Sequence, residues 1–182
     1  MKTRILLTIV AFLFAGSLAA DESVISQIRK EYTNIRDALP SLRKIETDLS
    51  GYSAEGGKAT AYRDNKKDIR IIKVVLYGES GKMYEEFYYQ NKSLIFAFYK
   101  SHQYNVPFYV TPEVTKDASG ITFDPKKTKI TEDRHYFAKG KMVRWIDENK
   151  KEVNVTSKEF KGSEKDILKF SNELLAMFKQ KA

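Results

Sequence analysis

Short turns between β-forming segments constrain the fold of this chain more than any other feature. Runs of β-branched and aromatic residues are separated by 78–81, Asn91-Lys92 and Lys139-Gly140, and each gap is short enough for a hairpin. Strands joined this tightly must be antiparallel neighbours. The sequence therefore predicts a meander, with strands at about 58–63, 69–77, 82–90, 93–101, 129–137 and 141–147.

Alternation along the predicted strands indicates which side chains share a face of the sheet. Three sets of alternate apolar residues are each expected to share one face: Ile72, Val74 and Leu76; Leu94, Phe96 and Phe98; and Val143 with Trp145. The opposite positions are not cleanly polar, since they include Tyr84, Tyr88, Ile95 and Tyr99. We therefore expect both faces of the sheet to be partly covered.

Amphipathic helices are predicted at both ends of the domain. Apolar residues recur at three- and four-residue spacing from Val24 to Leu42, and Pro40 is expected to end or kink this helix near Leu39. The alternation that follows, at 45–49, is a candidate for a further strand. A second helical stripe runs from Ile167 to Phe178, and a capping-box pattern at 163–166 marks its expected start. The whole pattern predicts an α+β domain: a curved antiparallel β-meander of about six to seven strands with an N-terminal and a C-terminal helix.

Residues 1–20 have the three-part pattern of a cleavable secretory signal peptide. Lys2 and Arg4 precede an apolar run over 5–14, which is well short of the roughly twenty residues that a permanent membrane-spanning helix needs. Small residues lead up to Asp21, and cleavage after Ala19 or Ala20 fits equally well. We expect residues 21–182 to form a single domain, released to the periplasm or the medium.

The chain contains no cysteine. We therefore expect no lipid anchor on an N-terminal cysteine, no disulfide, no thiolate nucleophile and no sulfur-ligated metal. The formal net charge is +8, with lysines interspersed among Asp and Glu. This pattern is typical of a soluble surface, with attraction to anionic lipids or glycans as an alternative. A nucleic-acid partner is not expected, because the basic residues form no concentrated stripe.

Three segments share a local pattern in which an aromatic strand end enters a turn and leaves through Lys. They begin at Tyr62, Tyr88 and Tyr136, and their turns include Asn65, Asn91 and Gly140, respectively. The pattern resembles the hairpin repeats of MORN-like and related bacterial proteins. Stretches such as 77–82, 85–89 and 141–147 are also similar to a group of small exported bacterial proteins of unknown function. These resemblances imply export and a sheet-rich domain, and they assign no activity and no site residue.

Catalytic and metal-binding patterns are mostly excluded. Gly78 to Lys82 superficially resembles a phosphate-binding loop, but Leu76 and Met83 occupy positions that require Gly and Ser or Thr. Asp133 and His135 would share one face of a strand and could form an acid-base pair or bind a metal. Arg134 is more simply expected to pair with Glu132 on the other face. No catalytic residue, metal site or cofactor is predicted.

Aromatic residues are the strongest functional feature, because their rings can stack on sugars or grip a peptide. The long segment 104–124 is longer than an ordinary connection and could be a binding loop over the sheet. We therefore expect an exported, non-catalytic binding or interaction domain for a protein, peptide or glycan of the cell envelope. The candidate ligand-binding residues are Tyr84, Tyr88, Tyr99, Tyr104, Tyr109 and His135. The alternatives are an envelope hydrolase centred on His135 and Asp133, and a structural or polyanion-binding envelope protein.

Overall fold

The computed structural model describes residues 22–114 and 120–180. The predicted signal peptide, residues 1–20, lies outside the described residues. Two helices and seven strands follow one another along the chain: α1 (Glu22–Ala38), β1 (Arg43–Asp48), β2 (Gly57–Arg63), β3 (Ile69–Gly78), β4 (Gly81–Gln90), β5 (Ser93–Gln103), β6 (Lys129–Ala138), β7 (Lys141–Ile146) and α2 (Lys158–Lys179). Short 3-10 turns lie at Leu39–Ser41 and Pro125–Lys127.

The seven strands form one sheet in the order of the chain, and every neighbouring pair is antiparallel. The predicted α+β meander is therefore confirmed. The candidate strand after Pro40 is present as β1, in addition to the six other predicted strands. Helix α1 ends at Ala38 and passes into a 3-10 turn that contains Pro40, as expected. None of the described helices has the length and apolar character needed to cross a bilayer.

A β-bulge beside the turn is common to the three hairpins that the repeat pattern marked. The pairing register shifts between Tyr62 and Arg63, between Tyr88 and Tyr89, and between Tyr136 and Phe137. Opposite each shift the partner strand carries one extra residue: Arg70, Ile95 and Val143, respectively. Such an extra residue reverses the faces on which the following side chains lie.

Two face assignments made from alternation are wrong because of these bulges. Leu94 packs in the core beneath α2, whereas Phe96 and Phe98 lie on the α1 side of the sheet. Val143 likewise packs on the α1 side and Trp145 on the α2 side. Strict alternation fails wherever an unpaired residue is inserted into the strand.

The sheet is covered on both faces, as its apolar pattern indicated. Helix α1 buries Ile25, Ile28 and Ile35 against one face, and α2 buries a longer stripe against the other. The α2 stripe comprises Phe160, Ile167, Leu174 and Phe178. The result is a helix–sheet–helix arrangement with a separate core on each side of the sheet.

Helix α2 begins five residues before Ser163, where the capping-box pattern placed its start. The Ser157 hydroxyl caps the helix by accepting a hydrogen bond from the backbone N–H of Phe160, at 3.1 Å. The expected capping box at 163–166 is wrong because those residues lie inside the helix. Glu164 instead accepts a hydrogen bond from the backbone N–H of Met142, which fastens α2 to β7.

Both helices cross the strands rather than run along them. Helix α2 contacts β7 through Glu164. Near the C-terminal end of α2, the Phe178 carbonyl accepts a hydrogen bond from Arg63 of β2. Helix α1 pairs with β7 through Arg144 and with β4 through an ion pair between Arg36 and Glu86. Helix α1 crosses the strands near the ends that carry the bulges. It therefore leaves the other half of this face of the sheet uncovered.

Candidate functional site

A groove opens where α1 leaves the sheet uncovered. We call it the α1 groove, and its volume is about 420 Å³, within the range typical of small-molecule sites. Helix α1 forms one wall, and residues of β4, β5 and β6 form the floor and the other wall. The lining residues are Ile28, Arg29, Tyr32, Arg36, Glu86, Phe96, Phe98, Lys100, Glu132, Arg134 and Tyr136.

The floor of the α1 groove is aromatic because one row of paired residues places three rings side by side. Phe96 is paired between Tyr88 and Tyr136 in the sheet, and its ring centroid lies 5.0 Å from that of Tyr136. Tyr32 of α1 packs on this row, with its centroid 5.5 Å from the Phe96 ring. Phe98 continues the floor one row further from the helix. Tyr32 and Phe98 are half-buried and offer an apolar surface that is partly open to solvent, whereas Tyr88, Phe96 and Tyr136 are buried beneath it.

The walls of the α1 groove carry more positive than negative charge. Arg36 pairs with Glu86 at 3.5 Å, and Glu132 pairs with Lys100 at 3.4 Å and with Arg134 at 2.6 Å. The predicted pairing of Arg134 with Glu132 is thus confirmed. Four cationic side chains and two carboxylates line the groove, which leaves it net positive.

Arg29 differs from the other cations of the groove. Among the described residues, no carboxylate forms an ion pair with it, and its guanidinium carbon lies 5.9 Å from the centroid of the Tyr136 ring. The side chain is exposed and sits on the first half of α1, one turn before Tyr32. A cation held over an aromatic ring and free of a carboxylate is available to an incoming anion.

Glu86 and Tyr88 form a polar contact at the edge of the aromatic floor. The Tyr88 hydroxyl donates a hydrogen bond to a carboxylate oxygen of Glu86. Burial, and then the neighbouring Glu86 charge, raise the pKa of Tyr88 above its usual value. The hydroxyl therefore stays protonated and acts as a donor that holds Glu86. A separate hydrogen bond, between the Arg36 and Tyr88 side chains, raises the pKa of Arg36.

Three of the predicted binding tyrosines lie on or beyond the uncovered part of this face. Tyr84 is half-buried in the row Val75, Tyr84, Lys100 and Glu132, next to the α1 groove. Tyr104 packs against Phe123 within the long loop, with ring centroids 5.1 Å apart. Tyr109 is 46% exposed, and its hydroxyl donates to Glu79 in the β3–β4 turn at 3.3 Å. Residues 104–109 of the loop are thus anchored at the far end of the sheet.

The remaining predicted residues are not part of an open surface on this face. Tyr88 is fully buried beneath α1. Tyr99 and His135 lie on the opposite face, under α2, with ring centroids 5.2 Å apart. The six predicted residues are therefore divided between the two faces of the sheet and the loop, and the structure does not bring them together.

His135 and Asp133 share a face, as predicted, but they do not form a pair. The Asp133 carboxylate accepts a hydrogen bond from the indole N–H of Trp145 at 2.9 Å. His135 is 2% exposed, and its Nδ1 has no hydrogen-bond partner among the described residues. Burial lowers the pKa of His135 to about 4, so the ring is neutral at pH 7. Burial raises the pKa of Asp133.

Most residues of the α1 groove were missed at the sequence level. Ile28, Tyr32 and Arg36 follow one another at four-residue spacing on one helix face, and this spacing was a usable signal. The β5 residues of the opposite wall could not be inferred, because the bulge at Ile95 decides which residues of β5 face α1.

Comparison with protein-family models, with curated proteins and with solved structures found no match to this chain. The function must therefore be argued from the geometry of the groove and the charges around it. No group of three or more His, Cys, Asp or Glu side chains suited to a metal occurs among residues 22–114 and 120–180.

Proposed function

We propose that this chain is an exported, non-catalytic binding domain whose ligand occupies the α1 groove. The ligand class that best fits the groove is a small molecule with an aromatic or apolar body and an anionic group. The observation that carries this proposal is the position of Arg29, an ion-pair-free cation beside an aromatic floor. Export rests on the signal-peptide pattern of residues 1–20.

The proposed orientation of the ligand follows from the two kinds of surface in the groove. Phe96, Phe98 and Tyr32 favour an apolar body through burial and ring contacts. Arg29 and Arg134 each lie over a ring, Tyr136 and Phe98, respectively. Since the Arg134 guanidinium is already paired with Glu132, Arg29 is the proposed partner of the anionic group.

The geometry around His135 favours binding over the alternative hydrolase. A general base must reach the proton that it abstracts and must be held by an orienting group. The His135 ring is packed between Tyr99 and Trp145, with centroid distances of 5.2 Å to each, and the Asp133 carboxylate is engaged by Trp145. These contacts support a role for His135 in the core.

A pair of isosteric probes tests the proposed function. 2-Naphthoate carries an aromatic body and a carboxylate, and 2-naphthamide has the same body without charge. Backbone amide shifts measured by NMR should place 2-naphthoate at α1, β5 and β6, with weaker or no binding of 2-naphthamide. Substitution Arg29→Gln should weaken 2-naphthoate binding about fivefold, the worth of one partly exposed charge contact.

Arg43→Gln provides the matched control, because Arg43 is an exposed arginine on β1 at the edge of the sheet. This variant should bind 2-naphthoate as the wild type does. Equal binding of the two probes would contradict the proposed role of Arg29. Amide shifts confined to residues away from the groove would contradict the site itself.

A further inference from the structure

A second, strongly basic pocket lies at the tips of two neighbouring hairpins. We call it the hairpin-tip pocket; its volume is about 390 Å³. The β2–β3 turn, the β4–β5 turn and the end of α2 form it. Its charged lining residues are Arg63, Lys66, Lys67, Asp68, Lys92 and Lys179. Five cations thus face a single carboxylate among the described lining residues, so the pocket attracts anions.

Arg63 makes this pocket more than a cluster of surface lysines. The residue is only 7% exposed, and it donates one hydrogen bond to the Phe178 carbonyl at the end of α2. Its Nε is buried and has no hydrogen-bond partner among the described residues. Arg63 therefore lines the pocket with a guanidinium whose hydrogen bonds are not all made, and an unpaired buried donor is costly.

The backbone of the two turns places lysines where other residues would be less strained. Lys67 and Lys92 have φ values of 66° and 65°, in the left-handed region that Gly and Asn occupy more readily. Lys92 forms an ion pair with Asp68 at 3.7 Å, but its side chain is 80% exposed, so this contact contributes little. Lys139 and Lys150 adopt the same conformation outside the pocket, so the φ values show only that lysine is tolerated at these turn positions.

We propose that the hairpin-tip pocket binds a phosphate monoester dianion, either on a free small molecule or on a lipid headgroup. Several ammonium groups around one pocket suit a compact, doubly charged group, and Arg63 adds a planar donor that matches phosphate oxygens. The pocket lies on the α2 side of the sheet and shares no lining residue with the α1 groove. A negative result for the α1 groove would therefore not contradict this inference, and a negative result here would not contradict the proposed function.

The experiment uses two forms of the same phosphate. Isothermal titration calorimetry at low salt measures binding of glycerol 3-phosphate to the purified protein, with glycerol as the uncharged control. Co-sedimentation measures binding to phosphatidylcholine vesicles with and without phosphatidic acid. Lys67→Gln and Lys92→Gln should each reduce the affinity for the phosphate about fivefold.

Lys139→Gln is the matched control. Lys139 occupies the turn of the third hairpin with a φ of 52° and is likewise exposed, but it does not line the pocket. Its substitution should leave the affinity unchanged. Binding of glycerol 3-phosphate alone identifies a free phosphomonoester as the source, and binding of the vesicles alone identifies a lipid. Absence of both, or an equal loss in Lys139→Gln, would overturn the proposal.

A fourth variant separates binding from folding. Lys92→Gly removes the ammonium group and places Gly after Asn91, the preferred pair for a turn in which both central φ values are positive. The midpoint of thermal unfolding should rise while phosphate affinity falls about fivefold. A variant that is more stable and still binds with wild-type affinity would show that Lys92 has no part in the site.

Discussion

Glu85 lies directly opposite Tyr99 in the register of β4 and β5, on the face of the sheet that α2 covers. Glu85 is 8% exposed, and its Oε2 has no hydrogen-bond partner among the described residues. Burial raises the pKa of Glu85 from 4.5 to about 7, and the Glu85 charge adds to the burial that raises the pKa of Tyr99. The folded protein therefore retains a proton on Glu85 that the unfolded chain releases at lower pH.

Glu85→Gln should stabilise the protein at pH 8 but not at pH 4. The unfolded chain loses its Glu85 proton near pH 4.5 and the folded protein only near pH 7, so wild-type stability falls between these values as pH rises. Gln carries no proton to lose. The free energy of unfolding of the variant should exceed that of the wild type by on the order of 2–3 kcal/mol above pH 7. Urea denaturation at several pH values measures this difference, and a pH-independent difference would contradict the prediction.

His135→Phe should have the opposite effect on the pH dependence. The unfolded chain binds a proton on His135 below pH 6.5, and the folded protein binds it only near pH 4, so wild-type stability rises with pH across this window. The variant should lose this rise, which is on the order of 2–3 kcal/mol. Its ring still fills the space between Tyr99 and Trp145.

The contributions of Glu85 and His135 to the pH dependence of stability partly cancel, because their pH windows overlap and their signs are opposite. Each single variant should therefore show the contribution of the other group. NMR titration of the two histidines gives a direct check, since the His135 ring should stay neutral at pH 5. Protonation of His135 above pH 6 would show that the ring is not buried as described.

The fold could be predicted from the sequence because its turns are short and its apolar periods are clear. The turns at Asn91-Lys92 and Lys139-Gly140 fix antiparallel neighbours regardless of what packs on the sheet. The start of α2 could not be found in this way. Ser163 and Glu164 occupy the positions of the apolar stripe between Phe160 and Ile167, so the first turns of the helix show no apolar period.

The candidate site was harder to predict because a single inserted residue changes the face of every residue after it. Ile95 and Val143 are the extra residues that decide which side chains of β5 and β7 face α1. Aromatic content identified Tyr84 as part of a partly open face, but it also selected Tyr88 and Tyr99, which pack in the two cores. Burial depends on which helix covers which rows, and the sequence pattern carries no information on that point.

The β3–β4 hairpin provides a direct test of close backbone packing. A Cβ added to Gly81 would lie 2.3 Å from the backbone carbonyl oxygen of His102, whereas at Gly78 the nearest atom would be 3.5 Å away. The backbone of a central pair of strands cannot move away from the added Cβ as a flexible side chain can. Gly81→Ala should therefore lower the free energy of unfolding by about 1–3 kcal/mol, and Gly78→Ala, in the same hairpin, should change it by less than about 1 kcal/mol.

Urea denaturation of the two variants, monitored through Trp145 fluorescence, measures both effects. Because Gly81 pairs with Gln103 at the end of β5, the strain in Gly81→Ala should also loosen the start of the loop after Gln103. Faster amide hydrogen exchange at Tyr104, whose N–H donates to the Ser80 carbonyl at 2.9 Å, would report that loosening. If Gly81→Ala is as stable as Gly78→Ala, β4 and β5 are not paired at Gly81 as closely as the register requires.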